Sequence, residues 1–186
     1  MASLRARLAS GNTHKLEELR AALPGWPIEL LETDRPFPDE TGSSYYANAR
    51  VKAEFGREVG PAAEWALGED SGIEVAALGG APGIASARWA ADGVEQVLLE
   101  LEGVGDRRAR YVCELVALGP DGEERRGTGV LEGTIATGRC GNEGFGYDPI
   151  FVPLGERRTV AELGNEWKRA NSHRARAAAA LARSEV

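Results

Sequence analysis

A few short stretches of this sequence carry side chains better suited to chemistry than to filling a core. Ser10-Gly11-Asn12-Thr13-His14-Lys15 lies between an alternating apolar segment and an amphipathic one. A helix start offers backbone N–H groups and a positive dipole end, where an anion can settle. Gly11 lets the backbone approach closely, and Lys15 adds a charge one turn in. The same residues also suit a plain N-cap, and the spacing is not that of a Walker loop. A second set is acidic, with Asp39-Glu40 in one segment and Glu69-Asp70 in another. Hard divalent cations take carboxylate oxygens, and Mg²⁺ uses one or two of them beside water and substrate phosphate. Ordinary turn chemistry at Asp70-Ser71-Gly72 is the competing reading.

A third stretch, Gly144-Phe145-Gly146-Tyr147-Asp148-Pro149, brackets an aromatic with glycines. That leaves a ring face open as a base-stacking platform, with Asp148 able to accept from ring N–H groups. A glycine-rich connector whose aromatics fill the core would look the same. The fourth is basic: Lys168, then Ser172-His173-Arg174 at the start of a helix. Arginine in a first turn opposes the helix dipole and so calls for a specific reason. His14 and His173 lack the paired spacing of a metal site.

The elements that must position these residues alternate between strand and helix. Leu4 to Leu8 reads as a strand, and Leu16, Leu19 and Leu23 as the stripe of a helix ended by Pro24-Gly25. A short strand follows at Ile28 to Leu31. Ser44 caps a second helix with an expected stripe of Ala47, Val51, Phe55 and Val59. Trp65 to Leu67 and Ile73 to Leu78 read as strand, turn, strand around Gly68 to Gly72. A helix through Val94, Val97, Leu98 and Leu101 comes next. Ala109, Tyr111, Cys113, Leu115 and Ala117 then alternate as a strand with one face inward. Pro120-Asp121-Gly122 turns into a return strand from Arg126 to Ile135. Gly138 to Gly146 is a loop, Thr159 to Glu162 a capping box, and a last helix starts near Ser172. The expected class is α/β with a mixed sheet, in one domain spanning 1–186.

With 186 residues, a net charge of −7 and hydrophobic residues at 42%, the chain can bury a core without staples. No apolar run reaches the roughly 18–20 residues that span a bilayer. Cys113 and Cys140 make neither a disulfide framework nor a zinc site. The acidic balance disfavours nucleic-acid polymers, which reward a basic stripe. A soluble, cytoplasmic protein acting on a small molecule is expected.

Taken in order, these stretches resemble the inosine/xanthosine triphosphate pyrophosphatases, which hydrolyse aberrant purine nucleotides. The matching segments are Ser10-Gly11-Asn12-x-x-Lys15, Glu40-Thr41-Gly42, Asn48-Ala49-x-x-Lys52-Ala53, Glu69-Asp70-Ser71-Gly72, Leu78 to Gly83 with Ser86-Ala87-Arg88, Gly144 to Phe151, Lys168 and Ser172-His173-Arg174. The resemblance implies a homodimeric, Mg²⁺-dependent enzyme that converts a nucleoside triphosphate to monophosphate and pyrophosphate. It implies a long central mixed sheet flanked by helices, with two lobes around an active-site cleft. Asp70 would be the general base and a metal ligand, with Glu40 and Glu69 as further metal-side carboxylates. Ser10, Gly11, Asn12, Thr13, His14, Lys15 and Ser71 would hold the triphosphate, and Lys52 would be a further substrate-binding residue. Phe145, Gly146, Tyr147, Asp148, Lys168, His173 and Arg174 would hold the purine. The chain departs from the family in having Glu69-Asp70 for two aspartates, Ser10 for threonine, and Asn165-Glu166-Trp167 before Lys168. Other readings are a pyrophosphatase preferring modified pyrimidines and a nucleotide sensor without catalysis.

Overall fold

The computed structural model describes residues 4–184. Strand β1 (Ala6–Leu8) leads into helix α1 (Thr13–Ala22), followed by β2 (Ile28–Leu30) and helix α2 (Tyr45–Val59). The long strand β3 (Trp65–Val75) runs through two short 3₁₀ turns to α3 (Gly93–Glu100). Next come β4 (Arg108–Leu118), β5 (Glu124–Ile135), the short β6 (Phe151–Pro153), α4 (Val160–Asn171) and α5 (His173–Arg183). The strands make one sheet in the order β2-β1-β3-β4-β5-β6. Strand β1 is parallel to β2 and β3, with Leu8 opposite Leu30 and Leu67, and β6 is antiparallel to β5. The expected α/β class with a mixed sheet is the one observed.

Several boundaries follow from side-chain chemistry. Asn12 caps α1, Ser44 caps α2 and Asp92 caps α3 through their side-chain oxygens. Thr159 and Glu162 form the reciprocal capping box at the start of α4. Helix α4 breaks at Gly164, whose φ of 86° is open to glycine.

Three expectations are corrected. Residues 65–75 are one continuous strand, not strand, turn and strand. Glu69 and Asp70 look like turn residues, but here both are buried within β3 and held by ion pairs. Strand β4 is covered on both faces, because Cys113, Leu115 and Ala117 join one cluster while Val116 packs with Ala49 and Ala53. Its Glu114 is held by Arg126 at 2.8 and 3.0 Å and by Thr128 at 2.8 Å. Finally, α2 buries Asn48, Ala49, Lys52, Ala53, Phe55 and Gly56, and leaves Val51 exposed. Strand β6 was not among the expected elements.

The described residues cluster into two compact units. The first holds residues up to Asp70, Cys113–Gly129 and those from Arg174 onward. Its main core joins Leu8, Leu19, Ile28, Leu67, Leu115 and Leu181. The second holds Ser71–Val112 and Val130–His173, with a core around Ile73, Val97, Leu101, Ile150 and Phe151. No helix among the described residues is long and apolar enough to cross a membrane.

Candidate active site

In the first unit, α2 and β3 bring an acid–cation centre together. Asn48 and Lys52 are four residues apart, so one helical face presents both. A Cβ on Gly68 would lie 1.9 Å from the Ala49 carbonyl oxygen, so only glycine lets β3 press this closely on α2. Two residues on, Asp70 Oδ2 accepts from Asn48 Nδ2 at 2.9 Å and Oδ1 lies 3.2 Å from Lys52 Nζ. The same ammonium donates to Glu40 Oε1 and, at 3.1 Å, to the Glu69 carbonyl oxygen. Asn48 Oδ1 accepts the Gly42 N–H at 2.8 Å, tying down the loop that carries Glu40.

The electrostatics follow from this packing. Burial pushes the Asp70 carboxyl above its ordinary value, against the pull of Lys52 and Asn48, and Glu40 and Glu69 add to the rise. Burial opposes the Lys52 charge, but Asp70, Glu40 and Glu69 outweigh it and hold the ammonium above its ordinary value. Three hard oxygens thus already surround one cation, the donor set that Mg²⁺ prefers. Among the described residues no three His, Cys, Asp or Glu side chains gather as a ready cage. A metal here would rest on Glu40 and Asp70 and complete its shell with water and phosphate.

Glu69 is engaged differently from its neighbour. Its Oε2 lies 2.6 Å from Lys15 Nζ, and its Oε1 accepts from Arg174 Nη2 at 2.8 Å and Nε at 3.1 Å. Arg174 also donates through Nη1 to Glu18 at 2.5 Å, and the Cys113 thiol sits 3.4 Å from Glu69. Both Glu69 oxygens are therefore bound to cations, in a site where its side chain is 0% exposed. In the 10–15 loop the cap reading is realised: Asn12 Oδ1 accepts the His14 and Lys15 N–H groups at 3.0 and 3.3 Å. Ser10 Oγ accepts from the Asn12 N–H at 3.1 Å, and Gly11, Thr13 and His14 are exposed.

The second unit collects the base-side candidates. Asp148 is buried; its Oδ2 accepts from Lys168 Nζ at 2.6 Å and from the Phe145 N–H at 2.8 Å, and Tyr111 donates to Oδ1 at 3.2 Å. The Lys168 ammonium also stands 3.8 Å from the Phe145 ring centroid, so a cation covers one ring face. Gly144 has φ +76°, and a Cβ there would meet Asp148 Oδ2 at 2.3 Å, which explains a glycine beside the aromatic. His173 stacks on Tyr111 at 4.5 Å. Tyr147 belongs to the core, and its hydroxyl donates to the Ser86 carbonyl at 2.9 Å. Gly146 is exposed and Ser71 half-buried. Asn48, Glu18 and Tyr111 are site neighbours to which the sequence assigned no role. For Asn48 the signal was present, as a polar residue one turn before Lys52 among small ones.

The fold sets this chain among the mixed-sheet α/β proteins, and comparison narrows the class. Residues 6–184 match the Ham1 family. The chain belongs to that family. It is 43% identical over 187 residues to the dITP/XTP pyrophosphatase of Symbiobacterium thermophilum, covering 96% of this chain and 93% of that protein. It is 42% identical over 189 residues to the dITP/XTP pyrophosphatase of Deinococcus radiodurans, covering 95% and 90%. Among solved structures, the Staphylococcus aureus Ham1 protein superposes with a TM-score of 0.81 at 37% identity, covering 93% of each chain.

Proposed function

We propose that this protein is a nucleoside triphosphate pyrophosphatase that removes aberrant purine nucleotides such as dITP, ITP and XTP. The products are the monophosphate and pyrophosphate. The observation that carries this reading is the single ammonium of Lys52 gathering Glu40, Asp70 and the Glu69 carbonyl. Such a hard-oxygen set is suited to a metal–triphosphate, and the relatives named as dITP/XTP pyrophosphatases supply the substrate class.

Glu40 and Asp70 would hold Mg²⁺, which when bound neutralises phosphate charge and favours attack at phosphorus. Asp70 takes the proton of the attacking water, oriented for that task by Asn48 on its other oxygen. Water adds to the α-phosphorus, the α–β bridging bond breaks, and pyrophosphate leaves. Lys52, and Lys15 where it turns from Glu69, would donate to the phosphates, with the 10–15 loop on the same side of the substrate. Charge stabilisation and positioning do most of the work in such phosphoryl chemistry.

Base choice follows from the Asp148–Lys168 pair. A 6-oxopurine presents an N1–H donor beside an O6 acceptor, whereas adenine presents the reverse. Asp148 accepts three donors in the structure and, with about four lone-pair sites, keeps room for one more. It can take N1–H while Lys168 donates to O6. Adenine would leave buried groups mispaired, a penalty worth discrimination on the order of 10⁴. On resemblance alone, the reading extends to a homodimer working in the cytoplasm.

Product analysis on a panel of dITP, XTP, ITP, dATP and modified pyrimidine triphosphates tests it. Pyrophosphate from the 6-oxopurines and little from the others is expected. Inorganic phosphate as first product, or a pyrimidine preference, would overturn the reading.

A further inference from the structure

Tyr111 lies on β4 in the second unit, 6% exposed, and touches two of the base-side residues at once. Its ring lies parallel to the His173 imidazole, with centroids 4.5 Å apart and planes 6° off parallel. The Phe151 ring packs against it at 4.6 Å, and both belong to the core of that unit. Its hydroxyl donates to Asp148 Oδ1 at 3.2 Å, the oxygen not used by Lys168 and Phe145. One side chain therefore fixes the plane of His173 and the rotation of the Asp148 carboxylate. A face covered by the Tyr111 ring cannot stack on a purine, so His173 can meet a ligand only by its edge or its other face.

We propose that Tyr111 is a specificity-determining positioning residue. It does not touch the purine, and it sets the donor–acceptor pattern presented to the base through Asp148 and His173. This rests on the base-pocket reading above. At 3.2 Å the bond from the Tyr111 hydroxyl to the Asp148 carboxylate is long, and stacked rings contribute modestly, so changes of about three- to tenfold per contact are expected.

The test compares kcat and KM for dITP and dATP, whose N1 and C6 groups present opposite patterns, in the parent, Tyr111→Phe, Tyr111→Leu and Lys168→Gln proteins, with thermal midpoints alongside. Tyr111→Phe keeps the ring and loses only the hydroxyl. It should raise KM for dITP about threefold to fivefold, leave kcat within twofold, and lower the dITP:dATP ratio of kcat/KM. Tyr111→Leu, which also removes the stack, should lower that ratio by about tenfold. If Lys168→Gln collapses the ratio while both Tyr111 variants leave it within twofold of the parent, Tyr111 is a packing residue and the inference is overturned. If Lys168→Gln also leaves the ratio unchanged, the base pocket itself is misassigned and both readings fall. Should Tyr111→Leu fail to fold, Tyr111→Phe alone decides.

Discussion

Replacing Glu69 with glutamine would show what that residue does. In the structure its carboxylate joins Lys15 and Arg174, and Arg174 reaches on to Glu18. The four charges cancel, and the Glu69 and Arg174 side chains are 0% and 1% exposed. Breaking a buried pair by removing one partner costs about 3–5 kcal/mol, because the other charge stays buried. Arg174 would keep Glu18, and Lys15, with 18% exposure, can turn toward water. The loss should therefore sit at the low end, about 3 kcal/mol. For a chain of this size that corresponds to a fall in Tm of about 6–12 °C. Urea unfolding should show the same loss as a lower midpoint at unchanged slope. The double variant Glu69→Gln/Arg174→Met removes both charges and should be less destabilised than Glu69→Gln alone. A loss under about 0.5 kcal/mol, or a double variant equal to the sum of the singles, would refute the reasoning. Unchanged stability with a higher Mg²⁺ requirement would instead make Glu69 a metal ligand.

Gly68→Ala would put a Cβ 1.9 Å from the Ala49 carbonyl oxygen and 2.6 Å from the Ala53 nitrogen. Both neighbours are backbone, so the cost should reach about 3 kcal/mol in urea unfolding, with activity lost as β3 shifts from α2. Thr159→Ala should cost about 1–2 kcal/mol in the same assay, since its hydroxyl both caps α4 and donates to the Cys140 carbonyl at 2.7 Å. Burial pushes the Tyr147 phenol from 10.0 up to about 12, so the folded state favours its neutral form. That stability is fully present below pH 10 and is lost as pH rises from 10 to about 12. The stability difference between the parent and Tyr147→Phe, followed by urea midpoints, should shrink across that window.

How much of this was readable beforehand depended on what each residue was doing. Caps and the capping box were legible, because Asn12, Ser44 and Thr159 act on their own backbone neighbourhood. The face of α2 was not. Apolar spacing selected Ala47, Val51, Phe55 and Val59, but the helix buries Asn48 and Lys52 to serve the site, and Val51 is left 43% exposed. The turn expected at Gly68 to Gly72 failed for the same reason. Glu69 and Asp70 can lie in a buried strand only because Lys15, Arg174, Lys52 and Asn48 meet them from distant parts of the chain. Tertiary pairing of charges leaves no local period to read. The 144–149 stretch was legible as a special loop from its glycines, but not the Lys168 ammonium over Phe145, which depends on how α4 packs.

Pyrophosphate release from dITP, with and without Mg²⁺, by the parent and by Asp70→Asn tests whether Asp70 drives a metal-assisted hydrolysis. Metal-dependent pyrophosphate is expected from the parent, with a rate lower by about 10²–10⁴ in the variant, which cannot take the water's proton. An Asp70→Asn rate within a few-fold of the parent, or release that is indifferent to Mg²⁺, would contradict this mechanism.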